Sequence, residues 1–315
     1  MQSKPSSLVI PSPTRSLAEK KLQCIFSSYS IANARHPERN EDTLLTDRRN
    51  GLAAVFDGVG GSIAGEVASQ IAADTIKQGW KNQLKMQAKD AALLYGPYVD
   101  LDIAITLEQL VLEAHDAIRD DGAQRRNNQS GNWGWIDDQA TTIALAVLTR
   151  EANEDYVAFY AHVGDSRVYR YRPNEQLTRL TEDDSILSKL VASEQVNKEQ
   201  AERIDQAMKA EELSGLELAC FQQRNGITQA LGDSQIPFVH IKRILLAPGD
   251  RLLLCTDGIH DNLTDAEMAE VLQKNARGSA KRLVERAQQR SQESTTQTIR
   301  AKADDMSAIV VTCNF

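Results

Sequence analysis

Aspartate recurs where short apolar runs of this chain end. Leu52–Phe56 stops at Asp57, inside the glycine-rich DGVGG of residues 57–61. Tyr156–Val163 stops at GDSR, which places Asp165, and Arg251–Cys255 stops at TDG, which places Asp257. Near the C-terminus the order reverses: Asp304, in DDMS, precedes the apolar run Ala308–Thr312. An acidic pair, Glu41 and Asp42 in RNED, lies upstream of all of them. Short apolar runs bounded by turn residues read as strands, and antiparallel strands bring their ends to a common sheet edge. Carboxylates gathered at such an edge repel one another, and a divalent cation relieves that repulsion. Oxygen ligands suit hard ions such as Mg²⁺ or Mn²⁺, which keep several waters. Two such ions about 3.5–4 Å apart can activate a water and stabilise the oxygens of an in-line displacement. Hydrolysis of a phosphoester is the chemistry this constellation could do, because phosphoryl transfer asks mainly for positioning and charge neutralisation. No cysteine or serine nucleophile is needed.

The elements that must position these carboxylates are only partly marked. Residues 22–32 read as a strand with Leu52–Phe56 as its partner. After the glycines, Val67, Ala68, Ile71, Ala72 and Ile76 recur at helical spacing, and Leu107, Leu110, Val111, Ala114 and Ile118 form a second helical stripe. Residues 120–138 read as an irregular polar loop. Thr141–Thr149 and Tyr156–Val163 read as a hairpin of core strands, with Arg167–Arg172 extending the meander. Residues 182–217 are acidic and helix-prone, an excursion lying over the domain. Pro248-Gly249 predicts a type II turn ahead of Arg251–Cys255. Thr264 with Glu267 predicts a capping box for a helix through Leu272, and a last helix over 280–292 leads to the final strand. This mixed order indicates α+β with antiparallel sheets.

Whole-chain properties narrow the class. With 315 residues, 41% hydrophobic and 25% charged, the chain reads as an ordinary soluble globular protein. A net charge of −8 argues against a nucleic-acid binder, and no apolar run reaches membrane-spanning length. Cys24, Cys220, Cys255 and Cys313 are scattered without metal-ligand spacing, which points to a reducing, cytoplasmic setting. Residues 1–19, rich in Ser and Pro, are expected to be a loose tail before one catalytic domain, 20–315.

Together these motifs resemble the metal-dependent protein serine/threonine phosphatases of the PPM, or type 2C, class in their compact bacterial form. The resemblance runs over residues 22–312. It is carried by RNED (39–42), DGVGG (57–61), ATT (140–142), HVGDSRVYRYR (162–172), LTEDDS (180–185), ITQALG (227–232), PGDRLLLCTDGI (248–259) and DDMSAIVV (304–311). It implies a four-layer α-β-β-α sandwich, two central antiparallel sheets flanked by helices, with two Mn²⁺ or Mg²⁺ ions at one end. Asp57 would bridge the ions, the Gly58 carbonyl would assist, and Asp257 and Asp304 would complete the first metal. Glu41 would act on the second through water, Asp42 would orient those waters, and Asp165 matches the aspartate of a third ion in several members. A metal-activated water would then hydrolyse phosphoserine or phosphothreonine proteins, in signalling opposite a serine/threonine kinase, with the enzyme expected to be a monomer.

Some positions depart from the family pattern or leave a choice. An arginine shortly before the acidic pair should hold the substrate phosphate, and ARHPERNED offers Arg35 and Arg39. Arg35 is favoured here, because Arg39 abuts the metal-binding pair and is expected to point away. Val59 stands where some members have a histidine proposed as general acid. Asp184 stands where the family usually has histidine, which bears on either the flap or a metal contact. His162 reads as core, and His115 carries no functional signal. The 182–217 excursion corresponds in position to the family's variable flap. Two other readings are a catalytically weak regulatory or scaffold protein of the same fold, and a hydrolase of small phosphoesters.

Overall fold

In β3 (Leu52–Phe56) every residue is buried, and the period-two geometry of a strand sorts them. Leu52, Ala54 and Phe56 join one apolar layer, Ala53 and Val55 another. The same alternation runs through β6 (Ile143–Arg150), β7 (Tyr156–Val163), β11 (Arg251–Cys255) and β12 (Met306–Cys313), which explains why they read as continuous apolar runs. A computed structural model describes residues 24–59, 63–93, 102–128, 139–150, 156–175 and 177–314.

Two five-stranded antiparallel sheets stack face to face. One has the order β1 (Cys24–Ile31), β12, β11, β8 (Arg167–Tyr171), β9 (Thr178–Arg179). The other runs β10 (His240–Leu245), β7, β6, β3, β2 (Thr43–Asp47). Phe26, Val55, Ala146, Leu252, Ile309 and Val311 fill the space between them. Helices α1 (Ile63–Leu93) and α2 (Ile103–Asn128) cover the second sheet through Ile76, Leu107 and Leu110. Helices α7 (Asp265–Leu272) and α8 (Ser279–Ser291) cover the first through Met268, Leu283 and Val284. The four layers are those the resemblance implied. The type II turn is present, with Gly249 at φ 89° and Asp250 N–H donating to the Ala247 carbonyl at 3.0 Å. So is the capping box of Thr264 and Glu267.

Several connections differ from expectation. β1 pairs with β12, and β3 pairs with β2 and β6, so β1 and β3 are not partners. The polar TLLTD of β2 hid a strand that returns through a tight turn at Gly51, φ 73°. β8 does not continue the meander of β6 and β7. The chain crosses to the other sheet at Gly164, φ 93°, where a Cβ would come within 2.7 Å of Thr142. α2 continues to Asn128, through the start of the expected 120–138 loop, helped by the Asp121–Arg125 ion pair. The edge strand β10 had no sequence signal that was read. The tail 1–19, the rest of that loop (129–138), and Gly60 and Gly61 lie outside the described residues.

The 182–217 excursion forms α3 (Ile186–Ala192), α4 (Lys198–Gln206), a 3₁₀ turn at Ala210–Glu212 and α5 (Gly215–Gln222), around a small core of Val196, Ile204, Leu213 and Phe221. Buried ions fasten it down. Arg167 of β8 donates to Asp183 (2.6 Å) and to Asp205 (2.7 Å), and its guanidinium is almost wholly buried. Arg300, 1% exposed, donates to the carbonyls of Asp205 and Ala207 on the excursion and of His260 and Leu263 on the domain. Burial alone would raise the Asp205 carboxyl, but the facing Arg167 guanidinium, together with Arg179 and Arg300, outweighs it and holds the group far below the usual range. Arg167→Met would leave both aspartates with only the longer, more exposed contacts to Arg179 and is expected to cost about 3–5 kcal/mol. Urea denaturation checks this, and a loss within 1 kcal/mol or so would show that the clamp is not needed.

Candidate metal centre

Each acidic residue reaches the site from a different element. Asp57 follows β3, and its backbone carbonyl accepts from Thr142 N–H (2.8 Å) and Thr141 Oγ1 (2.9 Å). These bonds tie the β3 exit to β5 (Ala140–Thr141), which pairs with β4 (Gly58–Val59). Gly58 is required by space: a Cβ there would meet the Gly65 carbonyl oxygen at 2.3 Å and the Glu41 carbonyl oxygen at 2.8 Å. Asp257 opens the short helix α6 (Asp257–His260), and Asp165 sits in the bend between β7 and β8. Asp304 immediately precedes Asp305 and β12.

The RNED segment is held by a residue that sequence reasoning passed over. Asp305 accepts the Asn33 N–H on one oxygen and the Glu41 N–H on the other, both at 2.6 Å. Its only signal was its place beside Asp304 in DDMS. Asp42 Oδ2 accepts from Thr256 Oγ1 at 2.8 Å, while Asp42 Oδ1 is buried without a hydrogen-bond partner among the described residues. Arg39 turns onto Glu41 at 3.0 Å and does not point away. Arg35 is exposed, and its guanidinium has no partner among the described residues.

Electrostatics bind these groups into one site. The Asp57 carboxyl is pushed well above the usual range, first by burial and then by Asp257, Asp42, Asp304 and Asp165. Asp42 and Asp165 are raised in the same way, burial first; Thr256 and Ser307 partly offset it at Asp42, and repulsion from Asp257 adds to it at Asp165. Asp257 is raised by burial, and Lys302 works against the rise. Lys302 is the second missed residue. Its ammonium lies against Asp257 Oδ2, 2.8 Å from Asp261 Oδ2 and 2.9 Å from Asp304 Oδ2. Among the described residues, Asp57 has no such cation.

His162, Asp184 and His240 form a separate group. Asp184 Oδ2 accepts from Gly164 N–H (2.8 Å) and Gln229 Nε2 (2.6 Å), and Oδ1 pairs with His240 Nε2 at 2.9 Å. The two imidazoles stack, with centroids 4.6 Å apart and planes 15° apart, so their in-plane lone pairs do not converge. Asp184 therefore ties the start of the flap to the β7–β8 bend. His162 is core, as expected, with Nε2 donating to the Glu182 carbonyl at 2.7 Å. His115 is buried and accepts from Gly232 N–H. His260 was not singled out in the sequence; burial pushes it down to about 4, so it is neutral and its Nε2 donates to the Asp165 carbonyl at 3.1 Å.

Comparison with known proteins decides the family. Residues 32–303 match the family model described as Protein phosphatase 2C. The chain belongs to the protein phosphatase 2C family. As a member, it is a metal-dependent protein serine/threonine phosphatase, a phosphoric monoester hydrolase with the Mn²⁺ or Mg²⁺ requirement of its class. The phosphatase is similar to the serine/threonine phosphatase stp of Listeria innocua, 25% identical over 75% of this chain and 77% of that one. It is also similar to the protein phosphatase PstP of Mycobacterium tuberculosis, 29% identical over 79% of this chain and 39% of that one. The solved catalytic domain of PstP in complex with two manganese ions superposes with a TM-score of 0.62 at 24% identity, covering 93% of this chain and 99% of that one.

The residues present fit hard divalent cations. The donors are all oxygen and, among the described residues, Asp42 Oδ1 has no partner and Asp57 carries mutual repulsion with no cation to offset it. Without metal, Asp57→Asn should therefore stabilise the protein, raising Tm by roughly 2–6 °C. The same variant should lose most of the Tm rise that Mn²⁺ gives the wild type. Thermal melts in chelator and in saturating Mn²⁺ check both halves; a destabilised metal-free variant would contradict the repulsion argument.

Proposed function

We propose that the acidic cluster is the centre at which this phosphatase hydrolyses phosphoserine and phosphothreonine in proteins. The observation that carries the reading is the convergence of Asp57, Asp257, Asp304, Asp165 and Asp42, from separate elements, into one mutually repelling group. Asp57, the Gly58 carbonyl, Asp257 and Asp304 would hold the principal ions, Glu41 would act through water, and Asp165 would face a third. When bound, Mn²⁺ or Mg²⁺ supplies charge neutralisation for the phosphoryl oxygens and lowers the pKa of a water.

The chain's own groups supply position. Asp42, fixed by Thr256, presents its free oxygen as an acceptor that orients water. Arg35, exposed and unpaired among the described residues, is available to grip the substrate phosphate, whereas Arg39 is committed to Glu41. With Val59 in place of a histidine, no side chain at that position offers the leaving oxygen a proton. Residues 20–315 are read as one catalytic domain. No helix among the described residues is long and apolar enough to cross a membrane. A cytoplasmic monomer opposed by a serine/threonine kinase is the accompanying proposal.

The test is hydrolysis of a phosphothreonine peptide after chelation, with and without Mn²⁺ or Mg²⁺. Activity should return with metal and fall at least about 100-fold in Asp57→Asn and Asp304→Asn. No return of activity with metal in the wild type would reject the reading, and faster turnover of a nucleotide would move it to small phosphoesters. Arg35→Ala should raise KM by about tenfold or more with a smaller change in kcat. Steady-state kinetics that give this split for Arg39→Ala would exchange the two roles.

A further inference from the structure

Lys302 stands among the carboxylates assigned to the metal, and its position is built. Asn262 clamps its backbone, accepting the Lys302 N–H at 3.1 Å and donating to the Lys302 carbonyl at 2.9 Å; the same amide group donates to the Gly258 carbonyl at 2.9 Å. The side chain, three-quarters buried, ends in an ammonium with three protons that faces three carboxylates: Asp257, Asp261 and Asp304. Two of these are assigned to the first metal. The third differs. Asp261 follows α6, also pairs with Arg224 Nε at 3.2 Å, and anchors its backbone N–H on the Asp257 carbonyl at 2.8 Å.

We propose that Lys302 is a tethered cation that shares Asp257 and Asp304 with the divalent metal, sets the affinity of the site for it, and withdraws to Asp261 when the metal binds. The inference rests on the metal-centre reading above. Mg²⁺ and Mn²⁺ need carboxylate oxygens at about 2.0–2.1 Å in a nearly fixed geometry, so ions entering here compete with two of the three Lys302 contacts for the same carboxylates. Asp304 is a third exposed, which gives that exchange a side open to solvent. Asp261 keeps the released ammonium paired, so the exchange does not leave a bare charge in a buried place. The geometry also divides labour among the acids: the cation offsets repulsion at Asp257 and Asp304 without metal, and Asp57 is left for the metal alone. Lys302 acts on the metal through its ligands and is a positioning residue.

Lys302→Gln removes the charge while keeping a donor on a side chain one atom shorter. Mn²⁺ binding by calorimetry should tighten about tenfold or more, while the metal-free Tm falls. Asp261→Asn removes the berth and should act in the opposite direction on affinity, weakening Mn²⁺ binding. In the double variant that weakening should largely disappear, because it acts through Lys302. Folded Lys302→Gln that binds Mn²⁺ no more tightly than wild type overturns the proposal. If that variant does not fold, Asp261→Asn decides: unchanged or tighter binding overturns it, and weaker binding supports it. Wild type and Asp57→Asn separate the two readings. Mn²⁺ binding that Asp57→Asn abolishes keeps the metal centre whatever Lys302→Gln does, whereas wild type that binds no Mn²⁺ removes both.

Discussion

Repulsion among buried carboxylates is the constraint around which this protein is arranged. Burial raises Asp57, Asp42, Asp165 and Asp257, and neighbouring carboxylates add to the cost at each, most fully at Asp57, which is repelled by Asp257, Asp42, Asp304 and Asp165. Such a group persists only on a scaffold stable enough to hold it. The three apolar layers between sheets and helices provide that, with β3, β6, β11 and β12 buried on both faces. The acidic residues then sit just beyond the ends of strands, most of them deeply buried, where packing restricts side-chain positions.

A second set of ions serves the opposite purpose. Arg167 and Arg300 are buried cations, Arg167 paired with two aspartates and Arg300 bonded to backbone carbonyls, and they join the flap to the first sheet and to the α6–α7 turn. Asp184 makes a further tie at Gly164. The flap is thus an attached wall beside the site. Charge appears in both regions, but near Arg167 it is balanced in the chain itself, and near Asp57 it is completed from solution.

The sequence made the site more legible than the fold. Asp57, Asp165, Asp257 and Asp304 stood out because each abuts an apolar run, and the packing that buries those runs brings the acids together. Strand partnership was less legible. β1 and β3 both carry enough apolar residues to pair in principle, and the hidden strand β2 and the return of β12 exclude it. The switch of sheets at Gly164 was invisible because a strand buried on both faces reads alike in either sheet. Asp305 and Lys302 were missed for another reason: their roles depend on residues distant in sequence, and nothing local marks an acid that caps two backbone N–H groups or a lysine aimed inward. Arg39 shows the limit of spacing arguments, since adjacency to the acidic pair placed it toward Glu41 and not away.

The two short hydrogen bonds from Asn33 and Glu41 to Asp305 span 272 and 264 residues. β1 is completed only by pairing with β12, from Cys24 opposite Cys313 to Ile31 opposite Met306. The RNED segment therefore lacks its Asp305 anchor until β12 has been made. Contacts of such sequence separation form late and slowly. A chain lacking β12 would carry most of the acids yet have no assembled centre, so catalytic competence doubles as a check that β12 has been made and docked.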